Sequence, residues 1–278
     1  MNQSSVTSKS ISIVGTVRNA GHVITADIER LVRATADFRS RNLFVVESDS
    51  SDDTVQKLAE LTKSRPEFRF ESLGALSPRM PLRTDRIAFC RNRCYAEVLE
   101  SADHADSDYV LVVDLDGIGN KINRSRFLSC WAIPHDWSAC CANRIGGYYD
   151  IYALRCDHWC TEDCQVAKDN LAKLFGPEIA ENLAIESRRL IIRTDLPPIP
   201  VDSAFGGLAV YTRQAFSDGE SYEGLTPAGD EVCEHVSFHR KMREKGHQIF
   251  INPRLINGGM VEFPMKRFFK GLRNRILR

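Results

Sequence analysis

The chain lacks any apolar run long enough to cross a bilayer, so a membrane-spanning segment is not expected. It also lacks net charge: Lys plus Arg and Asp plus Glu stand at 37 each, which leaves no overall field to steer nucleic acid, and none is expected as a partner. There is no internal repeat at solenoid spacing and no low-complexity tract. Residues 1–10 are polar, and the apolar segment behind them is interrupted by Gly15 and Arg18. The expectation is a short disordered lead rather than a secretory signal.

Nine cysteines are an odd count without a disulfide framework, which fits reduced thiols and a cytoplasmic setting. Cys-x-x-Cys knuckles are missing as well. Cys156, Cys160 and Cys164 recur every four residues beside Asp157 and His158, but a zinc site would need a fourth ligand, and small apolar packing is the expected role.

What is present is an alternation of periods. Residues 11–17 read as a buried strand, and Ile24, Ile28, Leu31 and Val32 then recur at helical spacing. A second strand at 43–46 runs into a cluster of turn and cap residues at 47–54, after which Val55, Leu58, Ala59 and Leu61 resume the helical period. A third helix is read at 86–99, with Cys90, Cys94, Val98 and Leu99 inward, followed by a strand at 109–113. Strands alternating with helices imply an α/β fold with a mixed, mainly parallel sheet, whose ligands bind beyond the carboxyl ends of the strands.

The second half is less regular. Residues 131–155 are aromatic and glycine-containing and 196–200 are proline-rich, a composition suited to binding surfaces over a rigid sheet. Further strands are expected at 208–211 and 249–251, with a helix at 230–245 ended by Gly246. The expected organisation is a lead at 1–10, one domain at 11–262, and a C-terminal tail at 263–278.

The strand at 109–113 ends in Asp114, Leu115, Asp116 and Gly117. Strand side chains alternate faces, so the two carboxylates point the same way and can hold a hard cation that bridges phosphates. An ordinary strand terminus that caps the next helix has the same composition. The DLDG stretch is also similar to the nucleophile motif of haloacid dehalogenase-like phosphatases, and GDEVCE imitates their later acidic motif. That fold, however, carries its nucleophile on the first strand, and two strand and helix units precede Asp114 here.

Taken together, three segments in order resemble the inverting glycosyltransferases of family 2 and, more broadly, the GT-A fold. VVESDSSDDT at 45–54 looks like that family's VVDDGSTDxT; Ala88, Arg91 and Asn92 approximate its AxxRN-like element; the DxD follows. A looser likeness is to the fungal capsule-associated mannosyltransferases, through RIAFCRNR at 86–93 and YYDIYALR at 148–155.

The resemblance implies a Rossmann-like GT-A domain that moves a sugar from a UDP- or GDP-sugar to a hydroxyl of a glycan or lipid-linked acceptor, as in polysaccharide biosynthesis. It implies Mn2+ or Mg2+ on Asp116, with Asp114 reaching ribose or the metal through water, and His239 or else His235 as a further metal ligand. The nucleotide would be met by Thr16, Arg18, Glu47, Arg86, Arg91 and Asp114. Glu234 would be the base, with Asp230 and Glu231 behind it, although His235 replaces the aspartate of the family's Glu-Asp pair. Asp202, Gly206 and Gly207 resemble the acceptor-side loop. A non-catalytic nucleotide-sugar-binding protein on the same fold is the alternative that the replaced aspartate keeps open. Finally, the tail alternates Phe268, Phe269, Leu272, Ile276 and Leu277 with six basic residues, a pattern that suits either peripheral contact with an inner membrane face or docking on its own domain.

Overall fold

The computed structural model describes residues 6–134 and 136–259. The expected basic tail at 263–278 lies outside the described residues, as does the first half of the expected lead. The other half of the lead is ordered: Val6 is fully buried and the first strand starts at Ser10.

Through the first half, apolar runs and helical stripes alternate as read. β1 (Ser10–Val17), α1 (Ile24–Ala34), β2 (Ser40–Glu47), α2 (Thr54–Ser64), β3 (Phe68–Ser72), α3 (Arg83–Glu100), β4 (Tyr109–Asp114) and α4 (Arg124–Leu128) follow one another. The second half holds β5 (Ala139–Arg144), α5 (Cys164–Phe175), α6 (Pro177–Ala184), β6 (Ile199–Val201), β7 (Leu208–Thr212), α7 (Arg213–Asp218), α8 (Glu234–Glu244) and β8 (Ile249–Gly258). The strands form one eight-stranded sheet in the order β3-β2-β1-β4-β7-β5-β8-β6. β3, β2, β1 and β4 are parallel, and β7 is inserted antiparallel between β4 and β5. This is the α/β, mixed and mainly parallel sheet expected from the sequence.

The central strands are apolar on both faces because helices cover both. Ile11 and Ile13 pack on the side of Ile24, Ile28 and Leu31 of α1, while Val14 packs on the other side with Ala88, Cys90 and Cys94 of α3. The same alternation divides Leu111 and Val113 from Val110 and Val112 along β4. With β1, β2 and β4 parallel, their carboxyl ends open on one edge, and that edge carries the site.

Three differences from the sequence reading have physical causes. β5, ACCANR, lies within a stretch read as irregular: it is buried along its whole length, so no polar alternation marks it, and its residues are small rather than β-branched. β3 is five residues at the sheet edge and was not expected. α8 begins at Glu234, not at 230, because residues 225 and 231 are joined by a β-bridge that holds the preceding turn extended.

All nine cysteines are free thiols, and among the described residues no group of three or more histidine, cysteine, aspartate or glutamate side chains is placed to hold a metal. Cys160 and Cys164 are buried as packing residues, and burial pushes the Cys164 thiol up to about 12. Among the described residues, no helix is long and apolar enough to cross a membrane.

Candidate active-site cleft

A cavity of about 390 Å³ opens at the carboxyl ends of β1, β2 and β4. Thr16, Val17 and Arg18 come from the end of β1, Ser48 and Asp49 from the end of β2, and Asp114, Leu115 and Asp116 from the end of β4. α3 adds Arg83, Arg86 and Arg91; the loop after β5 adds Tyr149, Asp150 and Tyr152; Phe205, Glu234 and His235 complete the wall. Carboxylates and guanidiniums therefore face one cavity, as a phosphate-bearing ligand with a cation requires.

The DLDG turn is held in place by a residue that sequence reading did not single out. Asp27 of α1 is buried, accepts a hydrogen bond from the Gly117 amide at 2.9 Å, and pairs with Arg30 at 2.7 Å. Gly117 takes φ +84, a left-handed conformation that favours glycine. Asp116 is exposed at the cleft, where one oxygen accepts from the Ile118 amide at 3.0 Å. The Asp114 amide in turn donates to the Gly207 carbonyl at 3.0 Å, tying the turn to the strand behind it.

Arg91 joins the two halves of the site. It is buried at 3% exposure; its Nε donates to Glu234 at 2.7 Å and its Nη2 to Asp114 at 2.8 Å, while its guanidinium lies 4.8 Å from the Phe205 ring centroid. The two carboxylates raise its pKa above the ordinary arginine value against the opposing effect of burial. Asp114 keeps 30% side-chain exposure, yet desolvation lifts its pKa to about 6 despite the Arg91 charge. Asp150, which the sequence marks only as part of YYDIYALR, accepts from the Gly206 amide at 2.9 Å, and burial raises its pKa.

Thr16, Arg18, Arg86, Arg91, Asp114, Asp116 and Glu234 all line the cleft. Other expected residues are placed elsewhere. Glu47 is 1% exposed and its carboxylate accepts from the Ser50 amide at 2.9 Å and from the Ser72 hydroxyl, so it closes its own turn, and Ser48 and Asp49 form the cleft wall instead. Asp49 sits at φ +58, pairs with Arg86 at 3.7 Å, and accepts from the Ser77 amide at 2.9 Å.

Glu231 precedes α8 and accepts from both the amide and the hydroxyl of Thr84, at 3.0 and 2.7 Å. It supplies the N-terminal cap that α3 lacks locally, since Leu82 offers no side-chain bond there. Asp230 is exposed in the preceding turn, away from the cleft. His239 is in the core: its Nδ1 meets Ser203 at 3.0 Å and its Nε2 meets Tyr211 at 2.9 Å, which leaves no lone pair for a metal. Asp202 pairs with Arg243 at 2.7 Å outside the cleft. Gly206 and Gly207 lie behind the wall at φ +71 and +80; a Cβ on Gly206 would stand 2.3 Å from the Ala142 carbonyl oxygen, and one on Gly207 would stand 2.8 Å from Ile118.

The donor set suits a divalent cation only with help from the ligand. Of the five carboxylates that line the cavity, Asp114 and Asp116 stand together at the end of β4, and the rest of an oxygen shell would come from phosphate and water, as is usual for Mg2+ and Mn2+ beside nucleotides.

No protein-family model matches the sequence, and no curated protein does. Among solved structures, the chain is similar to a mannosyltransferase from Pyrobaculum calidifontis in complex with GDP-Man and Mn2+, at 13% identity and a TM-score of 0.47, covering 88% of this chain and 55% of that one. It is also similar to S. aureus TarS, residues 1–349, at 14% identity and a TM-score of 0.49, covering 95% of this chain and 63% of that one. Glucosyl-3-phosphoglycerate synthase from Mycobacterium tuberculosis, in complex with UDP, gives 14% identity and a TM-score of 0.42, covering 94% and 75%. The chain thus spans 55% and 63% of the length of the first two. The cleft itself, rather than these likenesses, carries the functional reading.

Proposed function

We propose that this chain is a metal-dependent glycosyltransferase that moves a hexosyl group from a UDP- or GDP-sugar to a hydroxyl of a glycan or lipid-linked acceptor. The observation that carries the reading is one cleft at the strand ends lined both by Asp114 and Asp116 at the end of β4 and by the guanidinium-bearing Arg18, Arg83 and Arg86. Diphosphate with a bridging cation matches that set. The motif likeness to family 2 supports it independently.

In this reading Asp116, with one carboxylate oxygen outside its turn bond, is the direct metal ligand, and Asp114 assists. Mn2+ or Mg2+ supplies neutralisation of the charge that develops on the diphosphate leaving group. Arg18 and Arg86 bind phosphate oxygens. The Ser48 and Asp49 strand end receives the nucleoside in place of Glu47, whose carboxylate is already satisfied. Glu234, buried at the start of α8, holds Arg91 and stands closest in role to the base that receives the acceptor hydroxyl's proton. Gly206 and Gly207 support the acceptor side from behind the wall, Gly206 donating its amide to Asp150 and Gly207 accepting from the Asp114 amide. Contact of the tail at 263–278 with a membrane face belongs to the same proposal.

Release of nucleotide from a panel of UDP- and GDP-sugars, with Mn2+ and then with chelator, tests the assignment. It predicts metal-dependent release from one donor class. Hydrolysis of a generic phenyl phosphate ester with no release from any nucleotide sugar would instead favour a phosphatase, and nucleotide binding without release would favour a non-catalytic binder.

A further inference from the structure

His235 occupies the second position of α8 at 2% exposure and lines the cleft. Its ring stacks on Phe205 with centroids 3.8 Å apart and meets Tyr222 edge-on at 5.6 Å. Neither ring nitrogen has a hydrogen-bond partner in the protein. The Glu234 Oε1 atom stands 3.6 Å from Nε2, beyond hydrogen-bond reach. His239, one turn later, has both nitrogens satisfied by Ser203 and Tyr211. Burial, the Arg91 charge and His239 all hold the His235 ring neutral, so it carries one donor and one acceptor with nothing to meet them.

A buried polar atom without a partner costs about 1–3 kcal/mol, and a phenyl ring would fill the same space beside Phe205 without that cost. The position is therefore poor for stability, and because both nitrogens are shut off from solvent, a ligand in the cleft meets them as the ring turns outward. In the sheet order, β2 and β1 lie on one side of β4 and β7 on the other. Ser48 and Asp49 follow β2, and Phe205, which carries His235 against it, precedes β7. With strands spaced about 4.8 Å, those ends are roughly 14 Å apart across Asp114, about the reach of a nucleoside diphosphate with a further group attached.

We infer that His235 is the residue that recognises the sugar of the donor, its unpartnered ring nitrogens hydrogen-bonding to hydroxyls of a hexosyl group delivered past Asp114. This rests on the nucleotide-sugar reading and adds to it a specificity-determining contact. A hydroxyl both donates and accepts, so it can meet either ring nitrogen of a neutral imidazole.

The test is calorimetric titration of wild-type protein, His235→Phe and His235→Gln, in Mn2+, with UDP, UDP-glucose, UDP-N-acetylglucosamine, GDP and GDP-mannose. At least one nucleotide sugar should bind the wild type up to about tenfold tighter than its own nucleotide, the scale of one or two added hydrogen bonds. His235→Phe should lose that increment to within about twofold while its Tm stays level or rises, and His235→Gln, which keeps a donor and an acceptor, should recover part of it. An increment retained in His235→Phe overturns the inference, as does a Tm several degrees lower in that variant, which would assign the ring a structural role. A wild type that binds nucleotides and their sugars equally overturns His235 alone. Absence of binding to both UDP and GDP overturns the nucleotide-sugar reading and this inference with it.

Discussion

Arg91 shows at single-residue scale why this site was only partly legible. Its candidacy as a phosphate ligand came from a short motif, but its two carboxylate partners lie 23 and 143 residues away and no local pattern announces them. The guanidinium fork spans Asp114 and Glu234 at once, a geometry a lysine cannot reproduce. Arg91→Met should therefore destabilise the chain by about 3 kcal/mol, because Glu234 remains buried and Asp114 half-buried without their cation. Urea unfolding measures it, and a loss under 1 kcal/mol would mean that solvent already screens the pair. The DLDG turn, by contrast, was readable, since a continuous apolar run followed by two carboxylates and a glycine is a local signal. Its anchor, Asp27, was not: on α1 it looks like any acidic residue in a first turn.

At the scale of the elements, the parallel half was plain in the sequence because strands buried on both faces are uninterrupted apolar runs and the covering helices keep a clear stripe. β5 and the start of α8 were not plain, the first for want of β-branched residues and the second because a bridge between 225 and 231 makes the helix begin late. That later start leaves Glu231 outside α8, where it caps α3. Glu231→Ala should cost about 1 kcal/mol of stability, in the usual range for a lost cap, and leave nucleotide release within a few-fold of wild type. A collapse of turnover at unchanged stability would return Glu231 to the chemistry.

For the whole molecule, buried titratable groups couple the core to pH. Burial lowers the pKa of His239 from 6.5 to about 3, so the folded state needs it neutral. Between those values the unfolded chain binds the proton and the folded chain does not. The histidine's contribution is thus fully present above pH 6.5 and is lost as pH falls below it. Raised carboxylates at Asp27, Asp114 and Asp150 act in the opposite sense over the acid range, so the effect is read against a variant. Relative to His239→Gln, the wild type should lose about 1.4 kcal/mol of stability for each pH unit below 6.5. Urea midpoints at pH 7, 6 and 5 measure the trend; parallel lines would place His239 in contact with solvent protons in the folded state.

The central claim is that the end of β4 grips a nucleoside diphosphate through a cation, and titration of UDP and GDP with and without Mn2+ tests it most directly. Wild-type protein should bind one of them at least about tenfold tighter with metal, and Asp116→Ala, whose carboxylate is exposed and outside the buried pairs, should lose that increment while keeping its Tm. Equal affinity with and without Mn2+ in the wild type, or an undiminished metal increment in Asp116→Ala, would contradict it.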